Sequence, residues 1–251
     1  MQTKENLIGQ TFEATVADVS IHGHGVVRSE EGRVFFAPGS WPGDKARFKI
    51  TELNSRFGKA EIEKLIEPSS ARETVRCKFH GFREGQCGGC SWLGIRYADQ
   101  LEAKQKIVET QLKRHDFDVK PKKIIGSVKE FGYRNRAQLK TNGKELGFVS
   151  TKSHKLVDID SCSVLDDVAN ANLSALRQNL PNPEWLPKNG RDWNTIDIDA
   201  DTKVPTPMNL KRPFQQSNAQ QNLFIKQWLA NKLAGLRADS PILELFAGSG
   251  N

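Results

Sequence analysis

Apolar and polar residues alternate in three stretches of the chain, and each stretch reads as a half-buried strand. Phe12, Ala14 and Val16 interleave with Thr11, Glu13 and Thr15, and Ala46, Phe48 and Ile50 with Lys45, Arg47 and Lys49. In the third, Tyr133, Asn135, Ala137 and Leu139 alternate with Arg134, Arg136, Gln138 and Lys140. Val34-Phe35-Phe36 supplies a further strand, with turns at Gly23-His24-Gly25 and Trp41-Pro42-Gly43-Asp44. Ala60, Ile62 and Ile66 end this first set before a Pro68-Ser69-Ser70 linker. Short strands joined by glycine-rich turns predict a small closed barrel over residues 1–68.

Past the linker the period lengthens to that of a helix. Tyr97, Leu101, Val108 and Leu112 share one face, with Glu102–Lys106 and Glu109–Lys113 as favourable pairs on the wet side. Leu165, Val168, Asn172, Leu176 and Leu180 mark a second helix, with Ser163 and Asp166 as its capping pair. Phe224, Trp228, Leu229, Leu233 and Leu236 mark a third. Asn142-Gly143, set before Leu146–Val149, is a two-residue hairpin signal. Lys155–Ile159 and Thr195–Asp199 read as further strands and Pro181–Pro187 as a loop, so residues 69–215 are predicted as an α+β module on an antiparallel sheet. Finally Ile242–Phe246, apolar except for Glu244, runs into Gly248-Ser249-Gly250. A buried parallel strand ending in such a loop opens a nucleotide-type α/β sheet, here over residues 216–251. The fold class is therefore multidomain α+β.

Charge adds a direction to this outline. With 37 Lys+Arg against 30 Asp+Glu, the net charge of +7 predisposes the protein to polyanions. Two strands, one per module, carry cations on one face: Lys45, Arg47 and Lys49, then Arg134, Arg136 and Lys140. Such faces suit an RNA phosphate backbone, the plainer reading being an ordinary solvated face. The start, M-Q-T-K-E-N, reads as no signal peptide, and no apolar run reaches membrane-spanning length. A reducing cytoplasm and no membrane partner are expected.

The four cysteines carry the candidate chemistry. Cys77, Cys87 and Cys90 lie in C-K-F-H-G-F-R-E-G-Q-C-G-G-C, and Cys162 follows in D-I-D-S-C-S. Thiolates in C-x-x-C can grip one metal centre, and four suit an iron–sulfur cluster or a structural zinc. Zinc ribbons tend to pair two such knuckles, and one is present here, which favours a cluster while leaving zinc open. His80 lies inside the loop, where packing or support of a ligand suits it better than ligation.

The barrel segment resembles a TRAM domain, a small OB-like RNA-binding barrel. F-G-Y-R-N-R-A at 131–137, L-G-F-V-S at 146–150, F-Q-Q-S-N at 214–218 and L-E-L-F-A-G-S-G-N at 243–251 follow the cysteine loop in order. Together these parts resemble the RNA uracil-C5 methyltransferases that use S-adenosylmethionine, in their 23S ribosomal RNA branch. Transfer-RNA relatives typically lack both the TRAM segment and the cysteines. The resemblance implies a [4Fe–4S] cluster on Cys77, Cys87, Cys90 and Cys162. It also implies contacts to S-adenosylmethionine from Gln216, Phe246 and Asn251, with Gly248 and Gly250 in the cofactor loop. Ala247 stands where relatives often have cysteine. Residues 216–251 would open a truncated class I, Rossmann-like methyltransferase domain. No catalytic residue is expected within 1–251, because the family's thiolate nucleophile lies downstream. Alone the chain is expected to be inactive, and a carboxy-terminal half supplied in trans is the one protein partner implied. The alternative is a non-catalytic iron–sulfur RNA-binding protein.

Overall fold

Alternation in the first sixty residues produces the strands it predicts. The computed structural model describes residues 7–245 except 154, 189, 203–206 and 238, and it divides into two units, Met1–Gly126 and Ser127–Asn251. The division falls inside the 69–215 segment, so the cysteine loop and the first helix belong to the same unit as the barrel.

In the first unit, β1 (Thr11–Thr15), β2 (Asp18–Val19), β3 (Gly25–Arg28), β4 (Val34–Ala37), β5 (Lys45–Leu53) and β6 (Phe57–Glu67) form one sheet. Its order is β1-β5-β6-β4-β3-β2. The β4–β6 pair is parallel and the others antiparallel, which makes the sheet mixed. Register sets Phe12 opposite Phe48 and Ala14 opposite Ala46, so the apolar members share a face. That face closes over Val16, Val27, Phe35, Ala37, Phe48 and Ile50, with Phe12 and Phe35 rings 4.9 Å apart. The barrel is a curled half-barrel rather than a closed one: the strand ladder ends at β1 and β2. The chain turns the corner between those two through Val16 and Ala17, whose N–H groups donate to the carbonyls of Asp44 and Val26. Ile66, read as a closing core residue, is exposed.

Pro68-Ser69-Ser70 is no free linker. The fully buried Asp44 carboxylate accepts from Trp41 N at 2.7 Å and Ser69 N at 2.9 Å, and pairs with Arg72 Nη2 at 2.6 Å. A second small core of Val19, Trp41, Ala71 and Ile95 lies beside this clasp, and Trp92 packs on it. Helix α1 (Tyr97–Arg114) covers it with Ala103 and Ile107, while Val108, assigned to the inner face by spacing, is exposed. Lys106 reaches Asp18 at 2.9 Å rather than Glu102.

In the second unit, β7 (Ala137–Thr141), β8 (Leu146–Val149), β9 (Leu156–Asp158) and β10 (Asn194–Ile198) form an antiparallel sheet in the order β10-β7-β8-β9. Regular pairing begins only at Ala137, so the strand is shorter than its alternation implied; upstream, Arg134 bridges to Leu165 and Asn218. The β7–β8 loop is four residues, not two. Asn142 Oδ1 accepts from the N–H groups of Lys144 and Glu145, an Asx turn that closes Thr141 onto Leu146. Helix α2 (Asp167–Arg177) packs on β10 with Ala169, Leu173 and Leu176 buried, and Val168 faces solvent. Asp166, not Ser163, is its N-cap, accepting from Ala169 N at 2.8 Å. The Pro181–Pro187 loop holds a 3₁₀ turn, Pro183–Trp185, that buries Trp185. Helix α3 (Ala219–Leu233) has no buried residue, and residues 242–245 are exposed and form no strand. Among the described residues no helix is long and apolar enough to cross a membrane.

Candidate functional site

The cysteine loop is shaped by its own backbone bonds. Cys87 N donates to Phe79 O at 2.7 Å and His80 N to Cys77 O at 3.2 Å, which sets His80 and Cys87 side by side as a parallel bridge. His80 Nε2 lies 3.0 Å from Cys90 O, and its ring meets Phe82 edge-on at 5.4 Å. Burial, with Arg72 nearby, pushes the His80 pKa below its ordinary value, although the bond to Cys90 works the other way. The contact between His80 Nε2 and the Cys90 carbonyl ties the two ends of the loop together. A Cβ at Gly89 would stand 3.6 Å from Cys87 Sγ, in ordinary van der Waals contact.

The same loop is fastened to the sheet. Arg72 Nη2 donates to Gly39 O as well as to Asp44, and the Phe82 ring lies where a Gly39 side chain would be, 2.4 Å from an added Cβ. Gly39 also has φ +74°, so two requirements demand glycine there. Trp92 Nε1 donates to Gly23 O at 2.9 Å and its ring meets Trp41 edge-on at 5.0 Å. Nothing in the spacing of the sequence singled out Asp44, Arg72 or Trp92. The one available signal was an aspartate closing the Trp41–Asp44 turn.

None of the four cysteines is in a disulfide, and all are partly exposed. Cys77, Cys87 and Cys90 share the loop, whereas Cys162 belongs to the second unit. There its N–H donates to Asn170 Oδ1 at 2.9 Å, and Asn170 Nδ2 donates back to Cys162 O at 3.1 Å. Thiols of this kind suit a soft or borderline metal. Among the described residues, however, no three or more His, Cys, Asp or Glu side chains are gathered as a metal-holding group. The donors have the right chemistry without forming a ligand set.

The cationic faces differ from the sequence expectation. Lys45 pairs with Glu67 at 3.0 Å and Arg47 with Glu13 at 2.8 Å, so carboxylates partly neutralise the β5 row, in which Lys49 is the third exposed member. Arg136 is half-buried, 3.6 Å from Asp197 Oδ1, and donates to Pro213 O. Lys140 donates to Thr195 Oγ1 at 2.7 Å, and burial pushes its pKa down despite Asp197. Of the three cations in the second row only Arg134 is exposed, on a backbone fixed by bonds to Val164 and Asp166.

F-Q-Q-S-N is held against the segment that precedes β7: Asn135 N donates to Ser217 O at 2.9 Å and Asn218 Nδ2 to Ser127 Oγ at 2.9 Å. Asn218 also caps α3 through Gln221 N. Gln216 is exposed, while its neighbour Gln215 lines a cleft of about 280 Å³ with Asn135, Arg136, Asp199 and Arg212. Phe246, Gly248, Gly250 and Asn251 lie outside the described residues.

Residues 5–62 match the TRAM domain. The chain is 40% identical over 250 residues to an uncharacterized RNA methyltransferase of Nitrosomonas europaea, covering 96% of this chain and 63% of that protein. It is 33% identical over 182 residues to the 23S rRNA (uracil(1939)-C(5))-methyltransferase RlmD of Mannheimia succiniciproducens, covering 69% of this chain and 40% of that one. The crystal structure of Pyrococcus abyssi tRNA (uracil-54, C5)-methyltransferase with S-adenosyl-L-homocysteine is similar with TM-score 0.48 and 26% identity, over 66% of this chain and 36% of that one. The chain thus spans less than two thirds of the length of each.

Proposed function

The chain belongs to the RNA uracil-C5 methyltransferase family, and from that membership we propose that it serves S-adenosylmethionine-dependent methylation of uridine C5 in 23S ribosomal RNA. One observation carries the reading: a chain with a TRAM segment over residues 5–62 is related to an RNA methyltransferase along 96% of its length. Ribosomal rather than transfer RNA is favoured by the named 23S relative.

Within this reading the residues divide the work. Lys49 and Arg134, exposed on their strands, contact phosphates; Lys45 and Arg47 join by exchanging their carboxylate partners, since exposed ion pairs are weak. Arg136 and Lys140 act through their neighbours, fixing Gln215 and Thr195 from half-buried positions. Gln216 touches the methyl donor, together with Phe246, Gly248, Gly250 and Asn251. When bound, S-adenosylmethionine supplies an electrophilic methyl group. Attack at uracil C6 needs a thiolate, and removal of the C5 proton needs a base. The four cysteines are proposed as ligands of a [4Fe–4S] cluster, three from the loop and Cys162 by sequence resemblance, so none serves as that nucleophile. The loop's contribution is a set of thiols held by backbone bonds and by His80. The protein is proposed to work in the cytoplasm.

Deleting the gene should remove one 5-methyluridine from 23S ribosomal RNA, read by mass spectrometry, and complementation should restore it; an unchanged methylation pattern would overturn the reading. Anaerobic reconstitution should give about four irons per chain and a brown colour. Stoichiometric zinc without visible absorption would instead sink the cluster assignment.

A further inference from the structure

We propose that a groove in the first unit, between the sheet and α1, seats an unpaired nucleotide of RNA. The groove has a volume of about 600 Å³, enough for a base with its sugar and phosphate. Phe36 and Phe57 lie in its wall with ring centroids 5.3 Å apart and planes at 73°, and the Phe57 ring is open to solvent. Paired rings of this kind offer a π-face on which any base can stack. Lys59, Lys106 and Arg114 stand on the rim, against a single lining carboxylate, Asp18.

These cations are available to a phosphate. Lys59 pairs with Glu52 at 2.9 Å and Lys106 with Asp18 at 2.9 Å, both in exposed pairs that a phosphate can displace at little cost. Arg114 ends α1 with no ion-pair partner among the described residues. The other groups suit a base edge. His24, half-buried on the groove, is held below its ordinary pKa by burial, then by His22 and Lys59. A neutral imidazole there presents one donor and one acceptor rather than charge. Stacking face, hydrogen-bonding edge and cationic rim coincide here, whereas the β5 row offers cations without rings. An apolar helix of a protein partner would have no use for the three rim cations.

The inference rests on the reading that the chain acts on RNA, and its test separates the two. The full chain is titrated with a fluorescent single-stranded ribosomal RNA oligonucleotide, and a 4-thiouridine version is crosslinked and mapped by mass spectrometry. Phe57→Ala should weaken binding about tenfold, and Phe57→Trp should restore it, because stacking is what was removed. Lys106→Gln with Arg114→Gln should weaken binding and flatten its salt dependence, while Lys226→Gln, on α3, changes neither. Crosslinks should fall on residues 18–36 or 57–59. If RNA binds but only Lys49→Gln and Arg134→Gln weaken it, the groove is overturned and the proposed function stands. Absence of RNA binding by the unaltered chain overturns both.

Discussion

Two helices of the second unit have similar apolar content and opposite fates. Helix α2 buries Ala169, Leu173 and Leu176 against β10, whereas α3 leaves Leu223, Phe224, Trp228 and Leu229 exposed. Both are capped by a side chain, Asp166 on Ala169 N and Asn218 on Gln221 N. Capping and propensity therefore make each a helix, and only a facing sheet makes one of them core. Apolar residues surround α3 on all sides, which is the pattern of a helix meant to be covered.

The contrast can be broken most directly inside α2. Leu173→Ala should cost about 2–5 kcal/mol, seen as a lower denaturant midpoint, because it leaves a cavity under β10. A midpoint within error of the unaltered protein would mean that α2 is no more anchored than α3. Next in size, Asp166→Ala should cost about 1 kcal/mol through loss of the cap.

A pH scan probes the tie between α2 and the sheet edge. Asp158 is partly buried, which opposes its charge, yet its bonds with Arg177 and Leu146 N hold its pKa below the ordinary 3.8. A depressed folded pKa gives stability that is full above the unfolded value and lost as pH falls through the folded one. The denaturant midpoint should therefore drop below about pH 4, and Asp158→Asn should remove much of that drop. The smallest effect belongs to α3: Trp228→Ala should change stability by less than about 0.5 kcal/mol. A larger loss would show that α3 is covered in solution.

Period-two alternation was the most legible feature of the sequence. At β5 it gave both the strand and its buried face, because side chains alternate strictly across a pleat. Helical spacing gave the helices but misassigned Val108 and Val168, since the boundary of a helical face is set by what packs on it. The half-barrel core was readable, whereas the neutralising partners were not. Glu13 and Glu67 meet Arg47 and Lys45 only through sheet register, and Asp197 reaches Arg136 from a distant strand. The aromatic wall of the groove was hidden for the same reason: Phe36 and Phe57 become neighbours only through the parallel β4–β6 pairing. Of the candidate cofactor site, motif order pointed to Gln216, but its exposure depends on how F-Q-Q-S-N is tied back to Asn135.

The Asp44 clasp has a mechanical consequence. Its carboxylate joins the Trp41 turn, Ser69 and Arg72 into one piece, so the chain leaving the half-barrel is held at Ser69 and again at Arg72. A load placed on the sheet is carried as far as Arg72 by the clasp rather than absorbed by slack chain at Ser69. Proteases that favour exposed, bendable segments should accordingly spare the Pro68–Ser70 stretch.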